Sequence, residues 1–321
     1  MMIDVFPHII PPKYKDALYK KIPANSYDRK RTEAFLSLFN LETRFRIMDK
    51  YGGLMQVLTL GRPPIQDAVG PKDAIELARI ANDEMAELVA KYPDRFVAAV
   101  ASLPMNDIDA ALIEADRAIT ELRFRGVQIY SDTNGKPLDS PEFMPLYEKM
   151  SQYNLPIFLH PRRANTVPDY PNESESRHMV FLMFGWPYET TVAMTRLVFS
   201  GIFERYPGLK IITHHCGGMV PYFAGRVTGR YEPHLTKHPL DYYRMFYGDT
   251  AIAWNTAALM CGYAFFGPEH ILFGTDMPYD SQLGDRFTGQ TINAIAQMNI
   301  PDSEKKMIFE DNAKKLLRLP I

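Results

Sequence analysis

Cysteine is nearly absent. Cys216 and Cys261 are the only two in 321 residues, too few for a disulfide framework and in keeping with a reducing compartment; both are expected to be packing residues. An excess of one charge is missing too. With Lys+Arg 36 against Asp+Glu 38, the net charge is -2 and the pI about 6.5, so no general attraction to nucleic acid or an anionic membrane is expected. Small molecules are the default partners. Long apolar runs are also lacking: the least polar stretch, residues 250–268, carries Asn255, Thr256 and Gly262 between two strand signals. It reads as a buried helix behind its strand, not as a membrane span. The N-terminus enters an apolar run holding Asp4 without a basic or apolar leader, from which a cytoplasmic location is expected. No internal repeat or low-complexity segment is visible.

What is present is a large apolar fraction, 46% of the chain, enough to bury a sizeable core. The length allows two domains or one α/β barrel, and the patterning favours one barrel. Strand-like runs fall at residues 2–6, 54–60, 95–103, 126–130, 155–160, 210–215, 245–250 and 271–275. Helical stretches separate them, including 71–91, 107–122, 186–206 and 221–231. An amphipathic helix is predicted over 31–51, where Phe35, Leu38, Phe39, Leu41, Phe45 and Met48 recur at spacings of three and four. Eight strands alternating with helices predict a distorted (β/α)8 TIM barrel occupying 1–321 as a single domain. Two segments interrupt the pattern: a polar excursion at 13–31 and a long loop at 161–179, expected to lie over the active-site face.

In such a barrel the C-terminal strand tips gather at one face, where the chemistry of the fold is carried out. Residues 271–279, Ile-Leu-Phe-Gly-Thr-Asp-Met-Pro-Tyr, form an apolar strand that delivers Asp276 at its tip. Three other runs end in histidine, at His8, His160 and His215. Imidazoles and one carboxylate with an open position suit Zn, Mn or Fe(II), and such an ion lowers the pKa of bound water to about 7. His214 alternates with His215, so the two are expected to face opposite ways, with His214 a second-layer or core residue. Asp249 either orients a catalytic histidine or caps the next element. His178, His234, His238 and His270 are expected on the surface.

These stretches also resemble a known family. Ile3-Asp-Val-Phe-Pro-His-Ile-Ile-Pro11, Phe158-Leu-His-Pro161, Thr213-His-His-Cys-Gly-Gly-Met-Val-Pro221 with Gly225-Arg226, and Leu272-Phe-Gly-Thr-Asp-Met-Pro278 resemble the amidohydrolase-related decarboxylase branch of the amidohydrolase superfamily. Within it the likeness is greatest to 2-amino-3-carboxymuconate-6-semialdehyde decarboxylases, and it spans nearly the whole chain. The resemblance implies a distorted TIM barrel, one Zn or Mn ion and loss of a carboxylate from a small unsaturated or aromatic acid, usually in a homodimer.

By the same resemblance, His8, His160 and Asp276 are metal ligands, and His215 is the general acid or base, working with Asp276. Arg226 would reach the neighbouring subunit's substrate carboxylate. Arg162, where the family has tryptophan, is a further candidate for an anionic group. One departure matters. The family's first strand presents His-x-His, and this chain has Phe6-Pro7-His8. Phe6 cannot ligate, so His215 as a fourth ligand, a metal-free hydrolase or hydratase like the superfamily's pyrone-dicarboxylate lactonase, and a non-catalytic barrel are the alternatives. Non-oxidative decarboxylation is the favoured reading.

Overall fold

The computed structural model describes residues 1–227 and 232–321. Apart from a short antiparallel ribbon, Asp132–Thr133 with Lys136–Pro137, its strands are parallel and follow one another around an α/β barrel. They are β1 (Met2–Asp4, resumed at His8–Ile9), β2 (Leu54–Leu60), β3 (Phe96–Ala99, resumed at Ala101–Ser102), β4 (Val127–Tyr130), β5 (Ile157–His160), β6 (Ile211–Thr213), β7 (Tyr247–Asp249) and β8 (Ile271–Leu272). Each pairs in parallel with the next, for example Met2 with Leu54, Tyr130 with His160 and Gly248 with Ile271. Backbone bonds then bring the last strand back to the first: Val5 N to Phe273 O (2.9 Å), Asp276 N to Phe6 O (3.1 Å) and His8 N to Met277 O (2.7 Å). The eight-strand alternation read from the sequence is therefore the architecture, with shorter strands. Pro7 and a bulge between Gln56 and Val57 supply the distortion.

Strand alternation sorts the core into two layers. Ile3, Val57, Ala98, Phe158, Ile212 and Leu272 form an inner cluster, and the C-terminal helix Asn312–Leu317 packs Ala313, Leu316 and Leu317 against it. Residues of opposite parity, among them Leu58, Ile157, Leu159, Ile211 and Ile271, join the helices in the outer cluster. The helix Pro71–Lys91 shows why the outer layer forms: Ala74, Leu77, Ala78, Ala81, Met85 and Leu88 recur on one buried stripe, and Pro71 opens the first turn where no amide bond is lost.

Three predicted helices differ. The stretch 186–206 breaks at Gly201, with φ 76°, into Trp186–Phe199 and Ile202–Arg205. The stretch 31–51 divides into the end of Tyr27–Ala34, a 3-10 turn Leu36–Leu38 and the helix Leu41–Met48. Asn40 is the cause, since its side chain caps Thr43 N at 2.8 Å and starts a new helix. The stretch 221–231 is a short helix Val220–Phe223 followed by a 3-10 turn Ala224–Arg226, and its remainder, 228–231, lies outside the described residues. The excursion 13–31 contains helical turns from Pro12–Tyr19 and Tyr27–Ala34. The apolar stretch at 250–268 is the helix Thr256–Phe266 behind β7, capped by Asn255, and among the described residues no helix is long and apolar enough to cross a membrane.

Candidate metal centre and active site

Strand parity determines which side chains reach the barrel mouth. Phe158 and Ile212 point inward, so His160 and His214, two residues further on, do the same. His8 enters after Pro7, and Asp276 is carried on a turn beyond β8 with φ 59°. That turn is fastened by Asp4, whose carboxylate accepts from Thr275 N (3.1 Å), Thr275 Oγ1 (2.6 Å) and Phe6 N (3.2 Å). Beneath His8, the fully buried Arg44 donates to His8 O and to Gln56 Oε1, both at 2.8 Å.

The outward nitrogens of three imidazoles are occupied. His160 Nδ1 lies 2.7 Å from the carbonyl of Pro161, which only accepts, so this nitrogen carries the proton. Thr59 Oγ1 donates to Pro7 O (2.8 Å) and sits 3.3 Å from His8 Nδ1, which therefore donates to it. His214 Nδ1 pairs with Asp249 Oδ2, and Asp249 Oδ1 accepts from Cys216 N (3.2 Å) and Ala251 N (3.1 Å). The inward nitrogens thus converge as lone pairs or shared protons. His8 Nε2 is 3.3 Å and His214 Nε2 3.4 Å from Asp276 Oδ1, while His215 Nε2 is 3.7 Å from Asp276 Oδ2. His8 Nε2, His214 Nε2 and Asp276 Oδ1 are buried without a hydrogen-bond partner.

Burial drives the electrostatics. It lowers the pKa of His8 and, further, of His160, where His214 adds to the effect. For His214, burial is outweighed by Asp249 and Asp276, which raise it to about 9. Burial likewise opposes the charge on Asp276, yet the nearby imidazoles of His214, His215 and His8 hold it well below the usual carboxylate range. A partly buried carboxylate with one oxygen fully enclosed, orphaned imidazole nitrogens and outer acceptors that fix the tautomers are what a divalent cation requires. The ligand atoms of His8, His160 and His214 lie within 4.8 Å of one another, as do those of His214, His215 and Asp276. The donor set fits such an ion.

Above this floor opens a cavity of about 480 Å³ lined by Leu182, Met183, Trp186, Trp254, Tyr279 and Phe287, with His215, Asp276 and Arg31 as its charged or titratable members. The Gly217-Gly218 turn beyond β6 allows the tight fit: Gly218 has φ 61°, and a Cβ there would lie 2.3 Å from Pro187 O.

The expectations fare differently. His8, His160, His215 and Asp276 come together. Arg162 does not line the cavity; it pairs with Asp67 and Asp132, the latter at 2.8 Å. Arg226 lines a second cavity of about 760 Å³ with Tyr188, Phe199, Phe223 and Tyr243. The reading of His214 as a residue turned away from the site is corrected, since it shares the parity of Ile212 and points in. His215 nevertheless also faces Asp276, because β6 ends at Thr213 and His215 and Cys216 adopt φ values of 57° and 52°, which ends the alternation. Of the two roles considered for Asp249, it takes the first, orienting His214; it also accepts from the Cys216 and Ala251 amides, while Asn255 caps the next helix. Arg31 was missed. It lies in the helix Tyr27–Ala34, where the basic run Arg29-Lys30-Arg31 gave no sign of which cation turns inward; its guanidinium lies 5.2 Å over the Tyr279 ring and 5.6 Å over Phe35.

Residues 37–319 match the family model described as amidohydrolase. The chain belongs to the amidohydrolase family. Among relatives of this amidohydrolase, the gamma-resorcylate decarboxylase of Polaromonas sp. is 33% identical over 298 residues, 87% of either chain. The 2-amino-3-carboxymuconate-6-semialdehyde decarboxylase of Dictyostelium discoideum is 31% identical over 256 residues, 78% of this chain and 68% of that one. The crystal structure of a dihydroxybenzoic acid decarboxylase from Polaromonas sp. JS666, with bound manganese and the inhibitor 2-nitroresorcinol, superposes with a TM-score of 0.80 at 28% identity, covering 99% of this chain and 96% of that one.

Proposed function

We propose that this amidohydrolase is a metal-dependent, non-oxidative decarboxylase, a carbon-carbon lyase, acting on a small aromatic or unsaturated carboxylic acid. The observation that carries the reading is one juxtaposition: Asp276 and His215, with the buried imidazoles of His8 and His214 directly behind Asp276, line a cavity whose other walls are mainly aromatic and aliphatic. A flat ring suits those walls, while its acid group needs the polar floor.

His8, His160 and Asp276 would hold one divalent ion, zinc or manganese. When bound, it supplies positive charge for an anionic oxygen of the substrate. The chain's own residues do the rest. Arg31, the one Lys or Arg side chain lining the cavity among the described residues, attracts the acid and orients the ring. Trp186 and Trp254 exclude water, which strengthens those interactions. His215, at the cavity surface and 3.7 Å from Asp276, delivers a proton to the carbon that bears the carboxylate. The carbon-carboxylate bond then breaks, its electron pair returns to the ring and CO2 leaves. Asp276 takes up and passes on the proton that resets His215.

The remaining parts of the reading concern assembly. The chain acts as one barrel over 1–321, with 13–31 and 161–179 at its mouth, in a cytoplasmic homodimer in which Arg226, exposed beside the second cavity, serves the partner's substrate. Trapping of CO2 from a panel of hydroxybenzoates and aminomuconate-type acids tests the chemistry. Consumption of an acid without CO2 would favour hydrolysis or hydration instead.

A further inference from the structure

Position 6 lacks a donor, yet its ring is not idle. Phe6 is fully buried and lies face to face with His214, centroids 4.1 Å apart and planes 21° from parallel; its centroids to His8 and His160 are 6.0 and 6.2 Å. The phenyl fills the floor and gives the His214 imidazole a flat surface to rest on. Asp249 grips the same imidazole from behind through Nδ1. With both faces of the problem solved by neighbours, Nε2 is left buried, without a hydrogen-bond partner and aimed at Asp276 Oδ1, 3.4 Å away. His214 lies 5.0 Å from His160 and 5.7 Å from His8, ring to ring.

We propose that His214 is the third imidazole of the metal site, standing in for the donor that position 6 lacks, with Phe6 and Asp249 as the residues that position it. The inference rests on the divalent-ion reading above and adds its ligand set: His8, His160, His214 and Asp276. It also divides the two neighbouring histidines by role. His214 is fully buried and turned to the floor, whereas His215 keeps a 17% exposed side chain on the cavity wall and stays available for the substrate's proton. An orienting carboxylate behind a ligating imidazole fixes its tautomer and raises its basicity, an effect worth about 10- to 100-fold in metal affinity.

The test is metal binding, read without turnover. Manganese is titrated into metal-stripped full-length protein against a competing chelator, for the parent chain, His214→Ala, Asp249→Asn and the double variant Phe6→His/His214→Ala, with thermal unfolding as the folding control. One ion should bind the parent. His214→Ala should weaken it by at least about 100-fold and Asp249→Asn by about 10- to 100-fold, and the double variant should regain most of the loss. A second measurement needs no variant: pulsed EPR of the manganese-loaded parent, with and without 15N-histidine, counts the coordinated imidazoles. Three supports the inference; two overturns it. Parent-like affinity in His214→Ala, or a double variant no better than His214→Ala, would also overturn it while leaving the metal reading intact. A parent chain that binds no ion would remove both.

Discussion

The Asp4 carboxylate takes the Thr275 hydroxyl at 2.6 Å and the Thr275 amide at 3.1 Å, and so ties the first strand to the turn that carries Asp276. Burial pushes Asp4 up to about 6 despite those bonds and the nearby Arg44. The folded chain therefore holds this proton more tightly than the unfolded chain, whose carboxyl titrates at about 3.8. That contribution is fully present below pH 4 and fades as the pH rises through 6, a loss of roughly 2–3 kcal/mol. Denaturant midpoints of the parent should fall across this window relative to Asp4→Asn, whose curve lacks the step. Asp4→Ala, which leaves buried donors unpaired, should cost at least about 2 kcal/mol at every pH.

Gly218 shows how closely the turn above β6 is packed. Its φ of 61° and the 2.3 Å approach of any Cβ to Pro187 O leave no room for a side chain. Gly218→Ala should destabilise the fold by about 3 kcal/mol or more, seen as a lowered unfolding midpoint. Gly70, with nothing within 4 Å of its Cβ position, should accept alanine at little cost.

Arg31 and Arg162 separate substrate binding from structure. Arg31 lines the cavity, so Arg31→Met should raise KM for carboxylate substrates about 10- to 100-fold, the loss of one charged hydrogen-bonded contact, with kcat within a few-fold. Arg162 is held by Asp67 and Asp132 outside the cavity. Arg162→Met should lower stability and leave KM within about two-fold, since no substrate contact is removed.

His215 should carry the proton and not the ion. His215→Gln is expected to lower kcat by about 10²- to 10⁴-fold while metal content per chain stays unchanged. Loss of metal in that variant would return His215 to the ligand set.

Much of this was legible in the residues. The barrel shows because apolar strands alternate with helical stripes such as that of 71–91, and His8, His160 and Asp276 stand at strand tips where no packing role calls for them. His214 was misread because parity was applied between neighbours without a fixed inward reference; Phe158 and Ile212 supply that reference only once the two core layers are known. His215 escapes parity altogether, since left-handed backbone follows β6. Arg31 belongs to a segment with no periodicity, where tertiary contacts with Tyr279 and Phe35 decide its place. The capping role of Asn40 was visible in type but masked by apolar residues that kept helical spacing across it.

The central claim is that this site removes a carboxylate as CO2 with protonation at the carbon left behind. Metal-stripped and manganese-reloaded protein, incubated with 2,6-dihydroxybenzoate-type and aminomuconate-type acids in D2O, addresses it directly. Reloaded protein should release one CO2 per acid consumed and place one deuterium at the former carboxyl carbon, with stripped protein inactive. Full turnover by stripped protein, or consumption of acid with neither CO2 nor carbon-bound deuterium, would contradict the account.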